Sequence, residues 1–379
     1  MLKSGTKKSI LVFVRQFHPA YKNGGPLQSI SNMLELDWEN CSFKVITQNE
    51  PHNNNSSKEE SNHWKEIGNF SVYSSYSKFP SRKKIIEAKC DMYYLNSFFD
   101  FQYSIMIVLM HKLKLIPKKK IILAPRGEFS AGALALKRIK KRIFLSVVKF
   151  LRIYNTVIWH ASTSLEEEGI KKEFGEDIRV RIALDVSNYK LKVPKQIQHK
   201  KNKNHLKILF ISRITRIKNL KFVIETLNKA RCNFSLDIYG PIEDEKYWQE
   251  CNRSMSPAIT EKVYYKGVVS NNDIAGIYPN YDLLFLPTLG ENYGHVIYES
   301  LALGVPVLCS DTTPWNRFDA FNAGWSISLN NNSGFIEVIE NLIKIDSDAF
   351  EKYKAGCFRY IEDLKNDKKH INDNLRLFD

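Results

Sequence analysis

No apolar run long enough to cross a membrane occurs in this 379-residue chain; the longest candidate, Ile105 to Met110, has the length of a core strand or core helix. The six cysteines, Cys41, Cys90, Cys232, Cys251, Cys309 and Cys357, include no C-x-x-C pair, which argues against a zinc site or a disulfide framework. No nucleic-acid-binding motif or Gly/aromatic-rich strand signature is present, so nucleic acid is not an expected partner. Nor does an Asp-x-Asp pair follow a strand, as a carboxylate metal site would want. The triplet Asp346-Ser347-Asp348 stands between helical stretches and reads as a helix N-cap, so no metal is expected. The opening MLKSGTKKSI runs straight into an expected strand at Ile10 to Val14, which leaves no room for a signal peptide and predicts a cytosolic chain.

Acidic residues are missing altogether between Glu128 and Glu166, in a chain whose formal charge is +15. Lys137, Arg138, Lys140, Lys141, Arg142, Lys149 and Arg152 fall in that gap. Leu134, Leu136, Ile139, Ile143, Phe144, Leu145, Val147, Val148 and Phe150 are interleaved with them at roughly helical spacing. Two readings stay open: an amphipathic helix lying on anionic lipid, or a long core helix with a solvated cationic face.

The length exceeds what one hydrophobic core organises, so two domains are expected. Short apolar strands alternate with helical stretches from Ser9 to about Asp185: Ile10 to Val14, Phe43 to Thr47, Met92 to Leu95, Ile121 to Ala124, Val157 to Ala161 and Val180 to Leu184. The polar, cationic KVPKQIQHKKNKN reads as a linker. The alternation then restarts with Leu206 to Ile211, Ser235 to Tyr239, Lys262 to Tyr265, Asp282 to Leu286 and Val305 to Ser310. The expectation is an α/β chain of two Rossmann-like domains, residues 1–190 and 206–357, joined by a linker at 191–205. The tail 358–379 returns as a closing helix to the first domain. Ligands of such sheets sit at the carboxyl ends of strands, which places the expected site in a cleft between the domains.

The stretch LPTLGENYGHVIYESLALGVP, Leu286 to Pro306, is the richest in the chain. An apolar strand ends in a turn holding Gly290 and Gly294, and a helix is expected from His295. The first N–H groups of a helix have no intrahelical partner, so with the helix dipole they form an anion site. Glu291 lies in the loop and Glu299 one turn inside the helix. Carboxylates repel phosphate, so hydroxyls of a sugar or ribose are their better partners.

A second cluster, SRITRIKN, follows the strand Leu206 to Ile211 and carries Arg213, Arg216 and Lys218. Cations off a strand end suit a diphosphate, with Arg gripping two oxygens and Lys supplying a point charge. Gly24 and Gly25 follow the first strand and precede Pro26, which suits the start of a helix; a simple turn and a close backbone approach to a ligand fit that pair equally.

The order SRITRIKN, GENYGHVIYES with its E-x7-E spacing, then ALGVPV, resembles the retaining glycosyltransferases of the family-4 type, which have two Rossmann-like domains in the GT-B arrangement. KNGGPLQSI resembles that family's Gly-Gly loop, and APRGEFSAGALALKRIKKR with HASTSLEEE resembles N-domain segments of relatives that build bacterial surface polysaccharides. The resemblance implies that Arg213 and Lys218 neutralise the donor diphosphate, Glu291 contacts hydroxyls of the transferred sugar and Glu299 binds the nucleotide ribose. It implies phosphate contacts from backbone around Asn292, Tyr293, Gly294 and His295, and donor contact from Gly24 and Gly25 across the cleft. Gly240, Gly267 and Val268, just after strands, take places near the base and ribose. At strand ends of the first domain, Arg126 and His160 are expected to face a phosphate-bearing acceptor, with His18 on the same cleft. RIALDVSN departs from the family pattern, where an Asn-Gly pair is common.

The reaction so implied is metal-independent, retaining transfer of a hexose-type unit from a nucleoside-diphosphate sugar to a lipid-linked glycan. It is placed at the cytoplasmic face of an anionic inner membrane. A nucleotide-sugar epimerase of the same architecture and a non-enzymatic binder of anionic lipid or RNA are the alternatives.

Overall fold

A computed structural model describes residues 7–17, 25–36, 38–48, 62–186 except 136, 200–270 and 273–379, and the chain divides into two compact units. The first comprises 1–187 with 368–379, the second 188–367.

The first unit is built on an eight-stranded sheet: β1 Lys8–Phe13, β2 Cys41–Gln48, β3 Trp64–Ile67, β4 Phe70–Ser75, β5 Met92–Asn96, β6 Lys120–Ala124, β7 Val157–Ala161 and β8 Val180–Ile182. Its order is β3-β4-β2-β1-β5-β6-β7-β8, parallel except where β3 runs antiparallel to β4. Its central strands are continuous apolar runs because both faces are covered, and successive side chains go to opposite faces. Leu11, Phe13, Tyr93, Leu95, Leu123 and Trp159 therefore join one core. Ile10, Val12, Val45, Tyr94, Ile122 and Ile158 join the other. The β3–β4 hairpin was not legible as strands, because WKEI and FSVYSS are short and half of their residues are charged or serine.

The second core is closed by the C-terminal segment. Phe378 is fully buried and meets the rings of Trp38, Phe43 and Tyr94 at centroid distances of 5.5, 5.4 and 5.5 Å. Arg181 donates to the Leu377 carbonyl at 2.7 Å and Asn374 to that of Leu184 at 2.9 Å. The expected crossing point at Phe358 is corrected: that residue lies within the helix Ser347–Asn366 of the second unit, and the chain joins the first unit from Lys368. Asp346 caps that helix by accepting from the Ala349 N–H at 2.9 Å, the role expected for the Asp-Ser-Asp triplet.

The second unit carries an all-parallel sheet of β9 Leu206–Ile211, β10 Phe234–Tyr239, β11 Val263–Gly267, β12 Leu283–Leu286, β13 Val307–Ser310 and β14 Gly324–Ile327. The order is β11-β10-β9-β12-β13-β14. Chain direction across the sheet therefore reverses between β9 and β12. The loops leaving the carboxyl ends of those two neighbours diverge there, which is where open α/β sheets hold ligands. The sequence put SRITRIKN on one of these loops and the Gly290–Gly294 turn on the other. Of the proposed linker at 191–205, residues 191–199 lie outside the described residues. Among the described residues no helix is long and apolar enough to cross a membrane.

Candidate functional site

Two loops that sequence reading could only set side by side are bound together in the fold. The Leu289 N–H and the Thr288 hydroxyl both donate to the Ile217 carbonyl, at 2.7 and 3.0 Å. Asn219 donates to the Pro287 carbonyl at 3.0 Å. Asn219 sits in the left-handed region at φ 58°, ending the tight turn Arg216–Lys218 and opening the helix Leu220–Lys229. That turn aims Lys218 at Glu291, and its ammonium donates to the carboxylate. Both side chains are mostly buried, at 12% and 14% exposure.

The three cations of the cluster part company. Arg216 takes Glu250 with two guanidinium nitrogens, at 2.9 and 2.5 Å, and lies over the Tyr247 ring. Arg213 meets Glu243 at 3.0 Å in a solvent-exposed pair. Such exposed pairs are worth about 0–1 kcal/mol, so Arg213 can leave that partner at little cost. Arg213 and Lys218 thus stand at the switch point while Arg216 is tied to the helix Glu245–Arg253.

Gly294 opens the helix His295–Ala302 at φ 85°. A Cβ there would stand 3.1 Å from Cγ of Glu291 and 3.3 Å from the indole nitrogen of Trp315, so the turn around the carboxylate needs glycine. Trp315 donates its indole N–H to the Tyr293 carbonyl. Tyr293 and His295 are buried, with their rings 4.9 Å apart. Beneath the turn, Ser310 and Thr312 hydroxyls both donate to the Thr288 carbonyl, at 2.5 and 2.7 Å, and the Glu291 N–H donates to the Thr312 carbonyl at 3.3 Å. The turn leading to Asn292 and His295 is therefore held by β13 and its loop.

Glu299 is half-buried one turn in, and burial pushes its carboxyl up to about 8. The Tyr278 hydroxyl approaches it at 3.4 Å and donates to the Val296 carbonyl at 3.1 Å. A carboxyl so desolvated gains from any pair of hydroxyl donors that reaches it. On the other side of β9, Gly240 has φ 132°, and a Cβ there would fall 2.0 Å from the Ser212 carbonyl oxygen. Only glycine lets the ends of β9 and β10 close this tightly. Its N–H donates to Gly267 at 2.8 Å, bringing Gly267 and the exposed Val268 into the row of strand ends.

The residues of the first unit behave differently. Arg126, at φ 57° and 9% exposed, pairs with buried Asp185 and donates to the Tyr94 hydroxyl at 2.9 Å and to Asn96 at 3.3 Å. His160 is also buried; its ring nitrogens engage the Tyr94 hydroxyl at 2.7 Å and the Ala183 carbonyl at 2.8 Å, and burial pushes it down to about 4. The expectation that these two face an acceptor is corrected to a buried polar network: an Arg off a strand end found its anion inside the unit. Glu166 fastens the same network to both strand ends, accepting from the Gly127 and Ser162 N–H groups at 2.6 and 2.7 Å. The next helix is capped by Thr163, whose hydroxyl accepts from the Glu166 N–H at 3.2 Å. Gly25 begins the helix Gly25–Leu34, while His18 and Gly24 lie outside the described residues.

Sequence reading missed Trp315, Tyr278, Thr288 and Thr312. Trp315, in a Pro-Trp turn after β13, offered a signal, but its partner lies 22 residues away.

With this geometry in hand, residues 194–355 match the family model of the glycosyl transferases group 1. A protein encoded in the cps region of Klebsiella pneumoniae is 21% identical over 295 residues, 76% of this chain and 79% of that protein. A glycosyltransferase of Methanocaldococcus jannaschii is 27% identical over 162 residues, 38% of this chain and 40% of its own length. Among solved structures, Anabaena HepE in complex with UDP and glucose aligns with a TM-score of 0.68 at 12% identity, covering 98% of each chain. WaaG, a glycosyltransferase involved in lipopolysaccharide biosynthesis, aligns at 0.67 and 14%, covering 97% of this chain and 98% of that one. Identities this low establish a shared fold. Residues 194–355 thus match the model of that family, and the fold of the chain is that of the GT-B glycosyltransferases.

Proposed function

We propose that the protein is a retaining, metal-independent transferase that moves a sugar from a nucleoside-diphosphate donor to a lipid-linked surface glycan. The observation that carries this is the Lys218–Glu291 pair at the β9/β12 switch point, beside the helix start at Gly294. In the donor-free state the two side chains neutralise each other. On donor binding, the diphosphate takes Lys218, Arg213 and the helix start, and the sugar hydroxyls take Glu291. Glu299 then receives the ribose.

In the step itself, the bond from the sugar's anomeric carbon to the diphosphate oxygen breaks. An acceptor hydroxyl oxygen bonds to the same face of that carbon, and its proton passes to the leaving diphosphate. The negative charge that develops on the diphosphate is what Lys218, Arg213 and the helix dipole stabilise. The cps-region relative and the WaaG-like fold support a surface polysaccharide as the product.

The test is a thermal-shift screen with UDP, GDP, ADP, CMP and dTDP, with and without magnesium; UDP comes first because solved HepE holds it. A ligand at a hundredfold excess over its Kd adds about 2.7 kcal/mol to stability. A magnesium-independent shift with one diphosphate, lost in Lys218→Ala, is expected. A shift that needs magnesium ends the metal-independent reading. Donor inversion without acceptor would favour an epimerase, and no shift at all would favour a non-enzymatic basic binder.

A further inference from the structure

The helix Arg138–Phe150 is amphipathic in an unusual sense, because both of its apolar sides are real but only one is used. Leu145 and Val148 are each 2% exposed and join the core of the first unit, with Phe144 half-buried beside them. On the far side Ile139 is 76% exposed, Ile143 61%, Val147 48% and Phe150 86%. At 3.6 residues per turn these four fall within an arc of about 80°, roughly opposite Leu145 and Val148. Exposed Lys140 borders that arc on one side, and Arg138, Arg142 and Lys149 on the other.

The positive charge around the stripe is only partly answered. Glu173 pairs with Lys149 at 2.9 Å and Arg142 at 3.6 Å, whereas Lys141 turns inward to the Ala133 carbonyl at 2.6 Å and the Phe99 ring. No acidic side chain lies between Glu128 and Glu166. Four aliphatic and aromatic side chains held in water cost free energy unless something covers them. The borders show what does. A second copy of the same face would bring cations against cations, and a nucleic acid would gain little from a stripe whose single ring is Phe150.

We infer that this face docks on the anionic surface of a lipid bilayer. The helix lies in the membrane plane, with Ile139, Ile143, Val147 and Phe150 entering the border of headgroups and acyl chains and Lys140, Arg138 and Arg142 among the phosphates. The inference names the partner surface for the proposed lipid-linked acceptor, but it is read without donor or acceptor, so either proposal can fail alone.

The experiment is co-sedimentation of the full chain with vesicles of phosphatidylcholine alone or with anionic phosphatidylglycerol added. Wild type is expected to bind the anionic vesicles, less at high salt. Ile143→Asp/Phe150→Asp should lower the partition constant about tenfold or more, while the thermal shift with the chosen nucleoside diphosphate confirms the fold. Three results would overturn the inference: no binding of wild type to anionic vesicles; binding that Lys140→Glu abolishes and the double variant leaves intact, which is a polyanion surface; or a wild-type dimer that the double variant makes monomeric without vesicle binding by either.

Discussion

The ammonium of Lys218 donates to the carboxylate of Glu291 across 73 residues of sequence, and neither side chain is more than 14% exposed. The pair exists because β9 and β12 are neighbours in the sheet, so that the turn after one opens beside the turn after the other.

Removing one member of the pair leaves the other charge half-desolvated. Lys218→Ala is expected to cost about 1–3 kcal/mol, less than the 3–5 typical of a fully buried pair, and to lower kcat/KM by about a hundredfold or more. Lys218→Met/Glu291→Gln should recover the stability and none of the turnover. Denaturant melts and steady-state kinetics on the three proteins separate the two effects; recovery of activity in the double variant would remove the pair from the chemistry.

Glu299 sets a pH dependence. With its carboxyl raised to about 8, the donor-free fold holds a proton there that the unfolded chain releases above its ordinary value near 4.5. The native state then binds more protons in that window, so this group's contribution to stability falls as pH rises from 4.5 to 8. Ribose hydroxyls donating to the carboxylate favour its ionised form. Nucleotide binding should therefore release a proton and weaken by up to about tenfold per pH unit below 8. Calorimetry in buffers of different ionisation enthalpy measures that proton. Glu299→Gln is expected to bind weakly with a flat pH profile; an unchanged slope would show that another group titrates.

Gly240 admits no side chain. Its φ of 132° alone makes Gly240→Ala cost about 1–3 kcal/mol of backbone strain, and the clash with the Ser212 carbonyl must also be relieved. Relief moves the β9 loop that carries Arg213, so nucleotide affinity should fall with stability. A variant that loses stability and keeps full affinity would separate this crossing from the site.

In the first unit, Arg126→Met strands the Asp185 carboxylate that Ser29 and Ser162 also touch, at 2.7 and 3.0 Å. The expected loss is about 3–5 kcal/mol, with nucleotide binding unchanged in the folded chain. If instead stability holds and only the acceptor KM rises, Arg126 regains an acceptor-facing role.

Phe378→Ala should cost about 3–5 kcal/mol, as a fully buried ring three residues deep in aromatic contacts leaves a cavity. Melting of the variant checks this; an unaffected midpoint would mean that the C-terminal segment contributes nothing to the unit it covers.

Local pattern carried much of this protein in its sequence. Val157 to Ala161 and Leu206 to Ile211 are strands with the bounds their apolar runs suggest, and the helix at His295 starts where Gly294 stops the preceding turn. These features depend on residues within one turn or one strand of each other, through backbone sterics and the period of side-chain burial. The same locality explains why the E-x7-E spacing and the cations of SRITRIKN were legible as separate pieces.

Which charges meet was decided only by tertiary structure. Arg213, Arg216 and Lys218 read alike in sequence, yet one is exposed beside Glu243, one is locked onto Glu250 and one is sunk against Glu291. Arg126 and His160 read as ligands of an outside anion and instead share a buried network with Tyr94 and Asp185. The β3–β4 hairpin and Phe378, 370 residues from its contact at Lys8, gave no local sign. Strand order and chain return bring together groups hundreds of residues apart, and their pairing follows from closure of the whole sheet and core, which no window of neighbouring residues encodes.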